Sequence, residues 1–350
     1  MKPPLLIVNP ACGAGDKAHA LPHVLTAVEQ TLGDTVIRYT ARRGHARELA
    51  LEGSREGYPL IVAVGGDGTF SEVVNGVLAA ADEAARAATG TGPAPEAATA
   101  PEIGGALKAG GATAPAAAGG APGPAVGLIS VGTGGDFRRS LGIDQGYERC
   151  IEAIALGRER VVDVGRATFP DMDGNPVDQY FVNVLSAGLG GLVDHYMETM
   201  PGVFGGRAGY YLASLRAVMI SKERPLQARI TWQGETREEV IPAYLIAICN
   251  GRWFGGGMDV APMALPDDGR LEVVTITERN RLYLAGKVRL IYTGRHLDEP
   301  TVHHFPCERI ELRLDNGAHE RRFLLDVDGD ALGSLPLAVE VAPRRLRVRA

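Results

Sequence analysis

Five consecutive apolar residues, Leu60-Ile61-Val62-Ala63-Val64, run directly into Gly65-Gly66-Asp67-Gly68-Thr69, and this junction constrains the fold more than any other stretch. A strand that is apolar on both faces has to be covered on both faces, which is the situation of a parallel sheet flanked by helices. Upstream, Leu5 to Val8 reads as a short strand ending at Asn9-Pro10. Helix-like periodicity then runs from about Lys17 to Leu32, a second strand spans Thr35 to Tyr39, and a second helix spans His45 to Gly53. Downstream, a helix is expected from Ser71 to about Arg86 and a fourth strand from Ala125 to Val131. Strands alternating with helices imply right-handed βαβ units and a parallel sheet.

Between about Ala88 and Pro124 the composition narrows to Ala, Gly, Pro and Thr. Such a segment buries too little apolar area to offset its ordering entropy and is expected to be a disordered insertion. It joins a helix to the following strand, so it should lie at the amino ends of the strands, away from a ligand at the carboxyl ends. After about Leu141 the texture changes. Strand-like runs recur at Val161–Ala167, Gln179–Leu185, Gln227–Gln233, Val240–Cys249, Arg270–Thr277, Glu308–Leu314, Arg322–Val327 and Leu337–Val341. Most are joined by turn residues, which predicts an antiparallel β-rich second domain. One apolar helix, Gly209 to Ser221, interrupts that pattern; it reads as core packing or as a wall for an acyl chain.

The glycine loop after the third strand carries the chemistry. Glycines let the backbone approach an anion closely. The amides at the start of the following helix then favour phosphate through their alignment. Asp67 would repel a bare phosphate, so it needs a cation or a substrate proton as partner. Other polar turns are expected along the same carboxyl edge: Asn9-Pro10-Ala11-Cys12-Gly13 after the first strand, Tyr39-Thr40-Ala41 after the second, and Gly132-Thr133-Gly134-Gly135-Asp136 after the fourth. Together they form a rim where a nucleotide would lie. The GxxxxGK[ST] phosphate loop is absent. Asp267-Asp268-Gly269, taken alone, reads as a hairpin turn.

A net charge of −6 argues against a nucleic-acid partner. No run approaches the roughly 18 apolar residues of a membrane span, and the first residues lack a secretory pattern. Four widely spaced cysteines fit a reduced, cytoplasmic protein.

The chain resembles the diacylglycerol-kinase-like lipid kinases, a group that includes bacterial diacylglycerol kinases and the sphingosine and ceramide kinases. The matching residues are Val8 to Gly13, Gly65 to Thr69 with Glu72 to Gly76, Gly132 to Phe137, Asn183 with Ser186 to Gly188, Asn250-Gly251 with Gly255 to Met258, Ala261 to Leu271, and Asp328-Gly329-Asp330. They run in family order along nearly the whole chain.

The resemblance implies an α/β N-terminal nucleotide-binding domain, similar to NAD kinases and phosphofructokinases, joined to a β-sandwich-like domain with the site in the cleft between. Residues 1–140 would then be the ATP-binding domain and 141–340 the lipid-substrate domain, with 341–350 returning to the first. Asn9, Gly13, Thr40, Gly65 to Thr69, Glu72, Gly132 and Thr133 are expected to contact ATP. Asp268, with the carbonyls of Leu265 and Arg270, is expected to hold Mg2+. Asp330 occupies the position of the family's general base, where a Glu is usual, and Asp328 could share its role. Asp67 would hold the metal or the acceptor. Cys12 and Gly135 stand where the family usually has Ser and Asn. The implied activity is ATP- and Mg2+-dependent phosphorylation of a lipid hydroxyl by an enzyme that binds membranes peripherally and reversibly. A homodimer through an edge strand is possible. The rival readings are a soluble-metabolite kinase of the NAD kinase type and a non-catalytic nucleotide or lipid sensor.

Overall fold

A computed structural model describes residues 2–12, 20–90, 123–131, 135–143, 145–188, 217, 223–277, 280–314 and 323–350. The chain divides into two compact units. The first contains the N-terminal residues, the chain through Val164 and Arg344–Ala350; the second, among the described residues, is Gly165–Pro343. The helix expected over Gly209–Ser221 and most of the Ala88–Pro124 insertion lie outside the described residues.

The first unit is an open parallel sheet. Its strands are β1 (Leu5–Val8), β2 (Val36–Tyr39), β3 (Leu60–Gly65) and β4 (Ala125–Ser130), in the order β2-β1-β3-β4. Every neighbouring pair is parallel. β1 and β3 are buried throughout. Fully burying a Val, Leu or Ile side chain contributes about 1.5–3 kcal/mol, which is why these strands carry no polar position. The helices are α1 (Ala20–Leu32), α2 (His45–Arg55), α3 (Asp67–Thr89), α4 (Asp136–Ser140) and α5 (Tyr147–Leu156). Val24 and Val28 of α1 and Cys150, Ile151 and Ile154 of α5 cover one sheet face, against Leu6, Val8, Val62, Val64 and Ile129.

On the other side α2 crosses α3 at Gly76. A Cβ there would stand 2.3 Å from the Arg47 carbonyl oxygen and 2.8 Å from the Ala50 Cβ, so only glycine permits the approach. α3 begins at Asp67, four residues before the start expected from periodicity, because the glycine loop itself winds into the first turn. Strand β5 (Glu159–Pro170) leaves the first unit and enters the second.

The second unit contains β6 (Pro176–Phe181), β7 (Val184–Gly188), β8 (Arg224–Trp232), β9 (Glu235–Ala243), β10 (Leu245–Cys249), β11 (Trp253–Phe254), β12 (Met258–Asp259) and β13 (Leu271–Ile276). The short helix α6 (Arg281–Lys287) is followed by 3-10 turns over Val288–Thr293 and Arg295–Asp298. The chain ends with β14 (Val302–Cys307), β15 (Arg309–Leu314), β16 (Leu324–Val327), β17 (Asp330–Ser334) and β18 (Leu337–Arg349). One antiparallel sheet runs β14-β13-β10-β7-β16-β17; facing it, β9-β8-β15 continue into the first half of β18. A single apolar core lies between them, with Leu185, Ile246, Ile248 and Val273 on one side and Leu226, Ile230, Ile310 and Val339 on the other. This is sandwich packing.

Two expected strands prove to be divided. The Val240–Cys249 run changes sheet at Tyr244, with β9 and β10 on either side. The Gln179–Leu185 run breaks between Phe181 and Val184 because its amides turn onto Asp328.

Candidate functional site

In the first unit, β3 delivers the glycine loop to the start of α3. Gly65 is fixed by packing: a Cβ there would stand 2.5 Å from Thr69 Oγ1. That hydroxyl accepts a hydrogen bond from Asn9 Nδ2 at 3.2 Å, and Asn9 Oδ1 accepts from the Ala11 amide at 2.9 Å. The Asn9 backbone amide donates to the Val64 carbonyl at 3.0 Å, so the turn after β1 is tied to the β3 end and its glycine loop by one side-chain and one backbone hydrogen bond.

Gly66 and Gly68 differ from Gly65. A Cβ on either would meet no described atom within 4 Å, and neither has a positive φ; Gly66 has φ −96° and ψ −174°. Among the described residues neither backbone conformation nor packing demands glycine there, and no described side chain covers the first amides of α3 on that side, where the helix favours an anion.

The two acids nearest the start of α3, Asp67 and Glu72, serve the backbone. Asp67 is half-buried, and its carboxylate accepts from the amides of Asp136 at 3.1 Å and Phe137 at 3.4 Å, the first turn of α4. Burial pushes the Asp67 carboxyl up from its usual range, against the pull of the Asp136, Phe137 and Gly135 amides and of Arg139. Asp67 thus joins the loop after β3 to the loop after β4, and Phe70 stacks on Phe137 at 5.0 Å beside it. Glu72 does the same for α2. Its two oxygens accept from the Gly44 amide at 2.8 Å and the Ala46 amide at 3.1 Å. Glu72 therefore positions the Thr40–Gly44 turn, and its carboxylate is already engaged. His45 completes that turn by accepting the Ala41 amide on Nδ1 at 2.9 Å. Thr40 is held by its own amide, which donates to the Val8 carbonyl at 2.9 Å. Gly135 adopts φ 64°, a left-handed conformation that Asn also tolerates. Gly13, Gly132 and Thr133 lie outside the described residues.

In the second unit, Asp328 and Gly329 are the two central residues of a tight hairpin, with φ 53° and 94°, and Val327 pairs with Asp330 across it. This Asp-Gly pair with two positive φ values is a type I′ turn. The Asp328 carboxylate accepts three amides, from Val182 at 2.9 Å, Asn183 at 3.0 Å and Val184 at 3.1 Å. Asn250 fixes the same segment, donating from Nδ2 to the Val182 carbonyl at 2.8 Å, while its amide reaches the Asn183 carbonyl at 2.9 Å. Asp326 accepts the Gly329 amide at 2.7 Å. Asp330 opens β17 and is half-buried.

Asp268 lies in a turn with Gly269 at φ 78°. Its Oδ1 accepts the Arg270 amide at 3.4 Å and its Oδ2 lies 2.9 Å from Arg270 Nε, which is 3.1 Å from Glu272 Oε1. Burial raises the Glu272 carboxyl above its usual range; Arg270 and His304 draw it down, and Asp268 pushes it further up. Asp268 and Glu272 both face the Arg270 guanidinium, which a cation bound at this turn would have to displace. Among the described residues no cluster of three or more His, Cys, Asp or Glu side chains could hold a metal ion.

Sequence reading placed the loops but missed the positioning roles of Glu72, His45, Asn250 and Asp326. A helix-borne acid aimed at another helix's amides leaves no local spacing to detect.

An open parallel sheet with a glycine loop at its carboxyl edge, followed in the same chain by an antiparallel sandwich, defines a two-domain α/β-plus-sandwich protein. The family model described as the diacylglycerol kinase catalytic domain matches residues 3–167, and the one described as the YegS C-terminal NAD kinase beta sandwich-like domain matches residues 183–350. The chain thus carries a match to the diacylglycerol kinase catalytic domain followed by one to the YegS C-terminal domain, in that order along nearly its whole length. It is 24% identical over 337 residues to a diacylglycerol kinase of Bacillus subtilis, covering 96% of this chain and 92% of that protein. It is 28% identical over 265 residues to a protein of Chromohalobacter salexigens named "Probable lipid kinase YegS-like", covering 74% and 68%. A crystal structure of a diacylglycerol kinase from Bacillus anthracis superposes with a TM-score of 0.62 at 22% identity, covering 99% of this chain and 96% of that one.

Proposed function

We propose that this protein transfers the γ-phosphoryl group of ATP to a hydroxyl group of a lipid, of the diacylglycerol or sphingoid kind. The observation that carries the donor half is the pair Gly66 and Gly68, glycines that packing among the described residues does not require and that would open the first amides of α3 to a phosphate. Asn9, Thr40, Gly65 and Thr69, with the turns holding Gly13, Gly132 and Thr133, line the nucleotide's phosphates. Asp67 and Glu72 act through the loops they fasten. Asp268, with the carbonyls of Leu265 and Arg270, would hold a structural Mg2+ in place of the Arg270 guanidinium, and the bound ion would brace the turn at Gly269.

In the acceptor half, Asp330 takes the proton of the lipid hydroxyl. The freed oxygen forms a bond to the γ-phosphorus as the bond to the β–γ bridging oxygen breaks, and ADP leaves. Asp328 does not exchange protons; it shapes the turn that aims Asp330. Such catalysis is chiefly positioning and electrostatics. An acceptor that resides in a bilayer places the reaction at a membrane surface, reached peripherally. Among the described residues no helix is long and apolar enough to cross a membrane.

The test is ADP release in mixed micelles carrying diacylglycerol, sphingosine or ceramide, with soluble NAD as a control acceptor. Gly68→Val should raise the KM for ATP at least tenfold with no loss of thermal stability, since no described atom lies within 4 Å of a Cβ at that position. An unchanged KM would remove the glycine loop from the nucleotide site. Turnover on NAD but on no lipid would assign the acceptor half to a soluble metabolite.

A further inference from the structure

Between Glu278 and Asp298 the sequence holds five basic residues, Arg279, Arg281, Lys287, Arg289 and Arg295, and no acidic one, in a chain of net charge −6. This is the stretch that forms α6 and the 3-10 turns after it. Its inner stripe is anchored: Leu284 packs with Tyr244 and Val288, and Ile291 packs with Val260 and Tyr292. Its outer stripe is Leu282, Gly286, Arg289 and Thr293, spaced i, i+4, i+7, i+11, and all four are exposed, as is Arg295 just beyond. Leu282 is 75% exposed, more than any other large apolar residue described.

The charges on this stripe are unusual for the molecule. Elsewhere the arginines habitually meet acids, as in Arg38–Glu56, Arg55–Glu83, Arg166–Asp178, Arg252–Asp259 and Arg309–Glu340. Within this segment Lys287 meets Glu299 at 2.7 Å, but Arg289 and Arg295 make no ion pair or hydrogen bond among the described residues. Arg289 stands close enough to Lys287 for their repulsion to register on the lysine. Two exposed arginines without an acid partner among the described residues, on the same short segment as a projecting leucine, match a surface that supplies the anions and a greasy boundary at once.

We propose that the outer face of residues 282–295 docks on an anionic phospholipid bilayer, with Leu282 entering the acyl boundary and Arg289 and Arg295 against lipid phosphates. This inference rests on the lipid-acceptor reading above and names the surface by which the enzyme would reach its substrate. A nucleic acid offers nothing to an exposed leucine, and an acidic protein remains an outcome of the test. The face runs roughly 17–22 Å along the chain at helical rises, enough to span several lipid headgroups.

The experiment is co-sedimentation of the full-length protein with phosphatidylcholine vesicles, with and without about 30 mol% phosphatidylglycerol, beside micellar kinase assays and thermal unfolding. The wild type should prefer the anionic vesicles and lose that preference in high salt. Each arginine near such a surface contributes about fivefold in partitioning, so Arg289→Gln with Arg295→Gln should weaken binding about 25-fold. Leu282→Ala should weaken it further. Tm should stay as in the wild type, because these side chains are exposed.

Equal partitioning of wild type and double variant would overturn the proposal. So would a wild type that ignores both vesicles but is retained on heparin, which would assign the face to an acidic macromolecule. If no lipid is phosphorylated in micelles while the double variant still loses vesicle binding, the docking face stands and the acceptor reading fails.

Discussion

Asp328 and Asp330 are two residues apart and chemically identical, yet the structure gives them different work, and a pair of isosteric substitutions separates the two. Asp328→Asn keeps the side-chain shape and suits the φ of 53°, since Asn tolerates the left-handed region. It cannot keep all three amides. Its carbonyl oxygen can retain the Asn183 and Val184 amides, but its NH2 group then faces the Val182 amide that Asp328 accepts at 2.9 Å. Leaving one donor unsatisfied in this position costs about 1–3 kcal/mol. For a cooperative unit of 150–250 residues that corresponds to a fall in Tm of about 4–8 °C at the middle of the range. Asp330→Asn keeps the side chain's size at a half-buried position at the start of β17. It removes the proposed base, which should lower kcat about 10²–10⁴-fold. Calorimetry and the micellar kinase assay on both variants give four numbers. The reasoning is refuted if Asp328→Asn abolishes turnover at an unchanged Tm while Asp330→Asn turns over normally, for then Asp328 would be the reacting carboxylate.

Two further outcomes follow from the geometry. Gly76→Ala should cost at least about 2 kcal/mol by thermal unfolding, because its Cβ would press on the Arg47 carbonyl at 2.3 Å and backbone cannot rotate away; a neutral effect would mean that α2 and α3 slide freely. His296 is buried with Nε2 3.0 Å from the Val260 carbonyl, and burial draws its pKa below the ordinary histidine value. The folded chain therefore favours the neutral ring, so this stability is present above the unfolded pKa of about 6.5 and is lost as pH falls below it. Scanning Tm from pH 8 to pH 5 should show a decline that His296→Gln flattens; parallel curves would remove His296 as its source.

The first unit was legible in the sequence because its signals are local. Residues 60–64 are apolar on both faces, so their covering on both sides was implied, and glycines beside an Asp mark a turn before a helix wherever they occur. The start of α3 at Asp67 was less legible, since periodicity registers only after a helix has a buried face. The second unit was legible as β-rich but not in detail. The Gln179–Leu185 run alternates like one strand, and only the carboxylate of Asp328, some 145 residues away in sequence, breaks it. The docking face was not anticipated at all, because its outer stripe is defined by what Leu284 and Ile291 bury.

By itself the sequence determined that a glycine loop would close a buried parallel strand at a helix start, and which family of chains places one there. Those are consequences of side-chain period, glycine's small size and residue order, which are fixed before folding. The tertiary structure decided which carboxylates are available for chemistry. Asp67, Glu72 and Asp328 look like reactive acids in the sequence, but each carboxylate is taken by amides brought from a distant segment. An acid's role depends on what surrounds it, and those neighbours exist only once the chain has folded.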